Sequence, residues 1–406
     1  MKKITILLVL AFSASCLFAQ SNDKAHFTKS KNKFYSKISK ELKEFYKSKK
    51  EKKDHKSFKM DFEGMEFPTN LDDYKTQWHN PVESQARTST CWSFSTTSFL
   101  ESELYRIHGK KLKLSQIHTV YYEYIERAIS FVEKRGDVYF GPGSEANAVT
   151  KIWKKYGAVP YKLYTGLING QPYHDHGAMH KELKSYLKSV KKNNNWNVDE
   201  VVCTFKKIMN HYIGTPPAKF EWEGKEYTPK TFLSNYLKMN PEDYIDVLSY
   251  MQQPYFEEVE YEVPDNWWHD KSYHNVPLDM WINTLKRVIK EGYTVSIGGD
   301  VSEAGYDSMT EVAIVPSFDI PRENINEYSR QFRFSNGTTT DDHGIHIVGY
   351  TEYKGDMWFV IKDSGSGARN GKNVGYRFIR EDYAKLKFMD FMVHKDAIPE
   401  LLKKFD

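Results

Sequence analysis

Cysteine is scarce in this chain: three in 406 residues, at Cys16, Cys91 and Cys203. That excludes a disulfide framework, so the fold has to rest on a hydrophobic core. Charge of one sign is scarce too. A formal net charge of +4 is small for this length, and no aromatic or motif signature accompanies the basic residues, so nucleic-acid binding is not expected. Beyond the first residues no stretch approaches the roughly 20 apolar residues of a membrane-spanning helix, and no internal repeat is present. A hydrophobic content of 40% with 15% aromatics is instead enough for a large core divided among two or three compact units.

The N-terminus has the pattern of an export signal. Lys2 and Lys3 precede an apolar run from Ile4 to Phe18, and Ala19 offers a small residue for cleavage. Residues 1–19 are therefore expected to be removed, leaving a periplasmic or secreted protein without a transmembrane anchor. Cys16 opens an alternative, a lipid-attachment cysteine, although Ser13 stands where such signals carry Leu.

Residues 20–61 form a Lys-rich arm, with Lys47, Lys49, Lys50, Lys52 and Lys53 crowded together. Phe34, Ile38, Leu42 and Tyr46 recur at a four-residue spacing, which predicts an amphipathic helix. The arm reads as a solvated helix and linker ahead of a globular unit over 62–406.

Within that unit, helices are expected at Cys91–Ile107, Ser115–Glu133, Glu145–Tyr156, His180–Lys191, Val198–His211, Thr228–Leu237 and Asp279–Glu291. In the first, Trp92, Phe99, Leu100, Leu104 and Ile107 fall on one side. After Gly292 short β-rich runs take over, at Thr294–Gly298, Thr310–Val315, Ile345–Tyr350, Trp358–Lys362 and Phe388–Val393, and these predict one antiparallel sheet. Helices first and strands later describe an α+β chain with two lobes and a cleft between them.

Three segments carry chemistry. The run Gln85-Ala-Arg-Thr-Ser-Thr-Cys91-Trp92-Ser-Phe-Ser sets a thiol at the start of a helix, where free N–H groups and the macrodipole favour the thiolate. Gln85 can fold back, so that its amide and the Cys91 N–H form an oxyanion hole. Asp342-His343-Gly-Ile-His346-Ile-Val-Gly349-Tyr350 supplies a base: His343 at the mouth of a buried strand, with His346 on the opposite face and structural. Asp363, ending the run from Trp358, can hold the imidazole. His174, Asp175, His176 and His180 complete no recognised metal spacing and read as a solvated loop, and Cys203 reads as core filler.

Together these segments resemble papain-like cysteine peptidases: Gln85 to Ser95 is similar to their nucleophile segment, and His343 to Tyr350 to their histidine strand. The bleomycin hydrolase and aminopeptidase C branch is the closer likeness, through Leu114 to Arg127, Gly214 to Trp222 and Gly298 to Val301. The resemblance runs from about Asn80 onward. It implies a papain-like core with a helical insertion at about residues 170–268, peptide substrates, Cys91 as nucleophile, His343 as base, Asp363 as its orienting partner and Gln85 in the oxyanion hole. It also implies no metal or organic cofactor, and assembly into homohexamers. The insertion explains why more chain separates Cys91 from His343 than the roughly 130 to 150 residues of papain and the cathepsins.

Three departures qualify the likeness. Asp363-Ser364-Gly365 stands where the family has Asn-Ser-Trp, so an aromatic shield is missing and water is expected to reach the Asp363–His343 bond. Ser89 replaces a common glycine in the nucleophile loop. In aminopeptidases of this branch a C-terminal tail lies in the cleft, whereas here little follows Ile398-Pro-Glu-Leu-Leu. The resemblance implies an aminopeptidase-like enzyme, the open cleft adds endopeptidase activity as an expectation, and the altered Asp363 to Gly365 segment keeps a catalytically weak or inactive papain-like binding protein as the alternative.

Overall fold

The computed structural model describes residues 25–29, 31–46 and 56–405. The export signal with Cys16, and the lysine cluster at 47–53, lie outside the described residues. Among the described residues, no helix is long and apolar enough to cross a membrane.

The arm contributes strand β1 (Ala25–Lys29), helix α1 (Lys33–Tyr46) and strand β2 (Lys56–Met60), with β1 and β2 paired antiparallel. It is no solvated linker where described. The apolar stripe on α1 buries Ile38 and Leu42, Phe34 meets Tyr173 edge-on at 6.2 Å, and the Phe34 N–H donates to Asn370 Oδ1 at 2.9 Å. The Lys59 ammonium donates to the backbone carbonyls of Ser302, Glu303 and Tyr306, at 3.1, 2.7 and 3.1 Å.

Strand β3 (Lys75–Thr76) precedes helices α2 (Cys91–His108), α3 (Gln116–Glu133), α4 (Ala146–Tyr156), α5 (Gly177–Lys192) and α6 (Val198–Ile213). These five helices close over one core that includes Phe99, Leu100, Tyr124, Trp153, Leu187 and Phe205. The expected one-sided pattern on α2 is corrected: residues 92–104 are buried all round, and Ile107 is exposed. Small hydroxyl residues make this possible, because they fit between two lobes and their O–H groups find internal acceptors. Ser93 donates to the Gln116 carbonyl at 2.9 Å, and Thr96 Oγ1 lies 3.0 Å from Ser296 Oγ. Gly109, at φ 65°, ends the helix in the left-handed region that glycine enters without penalty.

The insertion is helical only in part. After α6 come the hairpin β4 (Phe220–Trp222) and β5 (Lys225–Tyr227), then β6 (Tyr244–Leu248), β7 (Glu258–Val259) and β8 (Tyr273–Asn275). The expected helix at 228–237 is a short turn leading into π-helix. Helix α7 (Leu278–Lys290), β9 (Val295–Gly299), β10 (Val312–Ala313), α8 (Glu327–Ser335), β11 (His343–Tyr353), β12 (Asp356–Lys362), β13 (Tyr376–Arg380), α9 (Glu381–Lys387), β14 (Phe388–His394) and α10 (Pro399–Leu402) complete the chain. The sheet runs β10-β13-β12-β11-β9-β14-β6-β8-β7, with β3 added beside β11. It is mixed rather than purely antiparallel, since β10–β13 and β6–β8 pair parallel, and three of its strands come from what was expected to be helical insertion or its edge. Buried β-branched and aromatic residues of β9, β11, β12 and β14, together with α7, form the second core. Helix α2 lies between the two cores, with Ser98 Oγ 2.9 Å from His346 Nδ1 and accepting from the Lys362 ammonium at 2.8 Å.

Candidate active site

Cys91 opens α2, and no side chain caps that helix start. The Ser93 N–H turns back to the Thr90 carbonyl at 3.0 Å, and the macrodipole favours negative charge at the sulfur that opens the helix. The loop leading in is strained and pinned. Ala86 and Ser89 have φ of 50° and 55°, which explains why glycine suits position 89. The Arg87 N–H donates to the His174 carbonyl at 3.1 Å, and the His176 N–H to the Arg87 carbonyl at 3.2 Å. The segment expected to be a solvated loop is therefore a buried brace for the nucleophile loop: His174 and His176 are buried, and burial lowers their pKa values to about 4 and about 3.

His343 begins β11 on the opposite lobe, and Gly344 brings the lobes together. A Cβ at Gly344 would lie 2.9 Å from Ser95 Oγ and 3.3 Å from Trp92 Cα, so the absence of a side chain lets the strand start close against the first turn of α2. His343 Nε2 is 2.7 Å from Asp363 Oδ1. That leaves Nδ1 for the Cys91 sulfur, with which the ring is hydrogen-bonded. Burial disfavours the imidazolium, but the Asp363 carboxylate and then the Cys91 sulfur outweigh it, and the His343 pKa is raised well above 6.5. For Asp363 burial acts upward, yet His343, Arg377 and the Gly365 N–H hold its carboxyl down at about 2.

The expectation of a wet dyad is corrected. The side chains of His343 and Asp363 are only 9% and 4% exposed. The Gly365 N–H donates to Asp363 Oδ1 at 2.6 Å, and Tyr306 O–H donates to Oδ2 at 3.3 Å. Gly365 itself lies so close that a Cβ would sit 3.0 Å from Asp363 Oδ1 and 3.2 Å from His343 Nε2. Backbone takes the place of the aromatic ring.

Gln85 is tied by its N–H to the Ser364 carbonyl at 3.0 Å, its Oε1 is buried without a partner, and it lines one cavity of about 730 Å³ with His343, Asp363 and Gly365. His26, Thr28, Lys29 and Asn32 of the arm wall the same cavity. His343 also lines the smaller pocket that holds Cys91, so the structure brings His343, Asp363 and Gln85 to one cavity with Cys91 beside it. His346 lies fully buried on the far side of β11. Cys203, expected in the core, is exposed.

Residues 142–406 match the model of the Peptidase C1-like family. The chain belongs to that family. The match agrees with the likeness to the bleomycin hydrolase and aminopeptidase C branch, and it lies downstream of the nucleophile segment at 85–95. No curated protein sequence matches the chain. Among solved structures, PepW from Lactobacillus rhamnosis HN001 superposes with a TM-score of 0.65 at 17% identity, over 84% of each chain. This supports the papain-like fold of this C1-like peptidase. Procathepsin L 3 of Tenebrio molitor larval midgut also matches, at a TM-score of 0.35 and 14% identity, over 96% of this chain and 88% of that one.

One feature of the site escaped sequence reasoning. Oxygens of Glu145, Asp341 and Asp390 converge within 4.8 Å of one another, in a pocket that Cys91 and His343 also line. They come from three distant segments. The available signal was Asp390, a carboxylate inside the apolar run from Phe388 to Val393.

Proposed function

We propose that this C1-like peptidase hydrolyses peptide bonds through a thioester on Cys91, in an exported compartment, with endopeptidase activity beside removal of N-terminal residues. The observation that carries the reading is the alignment of three groups: sulfur at a helix start, imidazole hydrogen-bonded to it, and a carboxylate 2.7 Å from the other ring nitrogen.

In the derived sequence, the Cys91 sulfur attacks the scissile carbonyl. The oxyanion that forms is held by the Cys91 N–H and the Gln85 amide. His343 gives its proton to the leaving amine as the C–N bond breaks, which leaves the acyl group on sulfur. Water then attacks the thioester while His343 takes its proton. The tetrahedral intermediate collapses, and the acid departs as Cys91 regains the charged pair with His343. Asp363 stays ionised throughout, fixing the ring and stabilising its cation.

Support for the finer activity is the room in the cleft, since Gln85, His343 and Asp363 line a cavity of about 730 Å³. The test compares turnover of a free-amine dipeptide reporter with that of its N-acetylated, longer counterpart. Turnover of both supports an open cleft; turnover of the free amine alone restricts the enzyme to N-terminal residues. Turnover of neither, by protein with an intact Cys91, contradicts the peptidase reading.

A further inference from the structure

The cleft beside the thiol has a wall of carboxylates. Glu145 immediately precedes α4, Asp341 stands two residues before His343, and Asp390 lies on β14. Their pocket is continuous with the reacting centre, because Cys91, Trp92, His343 and Gly344 line it too. Asp390 is 2% exposed, and its Oδ1 has no hydrogen-bond partner; Asp341 Oδ2 is likewise buried and unpartnered. Both side chains are aimed at the space left by Gly298, where a Cβ would fall 2.9 Å from Asp390 Oδ1 and 3.3 Å from Asp341 Oδ1.

Electrostatics say what this space lacks. Asp246, Asp265 and Asp342 stand around the trio, with Lys151 facing Asp246, Arg127 facing Asp265, His343 facing Asp342 and Arg330 facing Asp390. Burial, then repulsion among these groups, pushes Asp390 up to about 8 and raises Glu145 and Asp341 well above the usual carboxylate range. Open, buried acceptors are costly until a donor arrives. An ammonium group carries both the N–H donors and the positive charge that these acceptors lack.

We propose that the Glu145–Asp341–Asp390 pocket selects peptides carrying an ammonium group next to the scissile bond, on a Lys side chain or on a free N-terminal amine. This rests on the reading of Cys91 as a peptide-cleaving centre. The pocket's free volume of about 30 Å³ admits a group the size of an ammonium, which donates to Asp390 Oδ1 and Asp341 Oδ2.

The test separates binding from turnover by using Cys91→Ala protein and calorimetry in the presence of EDTA. Acetylated peptides carrying one Lys at successive positions are compared with norleucine counterparts, and a free-amine norleucine peptide with its acetylated form. The expected result is a preference of about tenfold or more for the charged partner in one comparison, and which comparison shows it identifies the source of the charge. Asp390→Asn brings that ratio close to one. Glu145→Gln provides the same readout should the first variant not fold. Equal binding of Lys and norleucine at every position and of free and blocked termini overturns the proposal, as does a preference that survives both neutralisations. Turnover by native protein is scored separately. A Lys preference without turnover removes the peptidase reading and keeps the pocket, and turnover without preference does the reverse.

Discussion

Asp363 Oδ1 accepts from His343 Nε2 at 2.7 Å and from the Gly365 N–H at 2.6 Å, so one carboxylate oxygen fixes both the ring and the turn that covers it. The charged Cys91–His343 pair is lost as pH rises through the His343 pKa, which is raised well above 6.5. The alkaline limb of kcat/KM should therefore lie well above that value. Asp363→Asn keeps an acceptor but removes the charge, so the limb shifts to lower pH and activity falls about tenfold, against roughly 10²-fold or more for Asp363→Ala. The same groups set a stability window. Asp363, depressed from 3.8 to about 2, contributes stability that is present above pH 3.8 and lost as pH falls through about 2. His343 contributes stability that is complete below 6.5 and lost as pH rises through its elevated value. A pH–rate profile of the two variants checks the first part, and thermal unfolding against pH the second.

Gly344 is where the lobes meet most closely. Gly344→Ala places a methyl group 2.9 Å from Ser95 Oγ and 3.3 Å from the Trp92 backbone, which pushes His343 away from Cys91. A shift of this kind in the reacting pair should cost roughly 10²-fold in kcat with a much smaller change in KM. Steady-state kinetics with one reporter peptide measures it.

Gly365 makes the opposite point about the missing aromatic ring. Gly365→Trp restores the family's residue type, but its Cβ lands 3.0 Å from Asp363 Oδ1 and 3.2 Å from His343 Nε2. The expected outcome is lower activity, and a crystal structure of the variant should show the dyad distance lengthened beyond 2.7 Å.

Lys59 clamps the arm. Its ammonium satisfies three carbonyls of the 302–306 segment, close to the Tyr306 whose hydroxyl reaches Asp363. Lys59→Ala should cost about 1 to 3 kcal/mol of local stability. It should appear as faster limited proteolysis within residues 25–60, with the papain-like domain left intact.

The sequence made the helices and the three catalytic segments legible because each is encoded locally, by a 3.6-residue stripe, an alternating run or a side chain at the end of an element. Legibility failed where structure depends on partners far along the chain. Strand β13 hid because Arg377 and Arg380 break its apolar run; Arg377 is nonetheless buried, donating to the Asp307 carbonyl at 2.6 Å, and Arg380 pairs with Asp382 at 2.6 Å. Cys203 looked like core because its helix is amphipathic, yet it falls on the outer face. His174 and His176 looked solvated because nothing local shows that the nucleophile loop folds onto them. The carboxylate pocket failed for the same reason, since three acids from three segments acquire meaning only when the sheet and α4 assemble.

Cys91 and Cys203 together provide the most direct test of the central claim, that the thiol at the start of α2 is an activated nucleophile paired with His343. Both are free, and Cys203 is the more exposed, so exposure alone favours labelling at Cys203. Intact-mass and peptide mapping after a short exposure to a thiol-directed peptidyl inactivator should show one adduct, on Cys91, strongly slowed by His343→Ala. Labelling of Cys203 first, or of Cys91 at a rate unchanged by His343→Ala, would contradict the account.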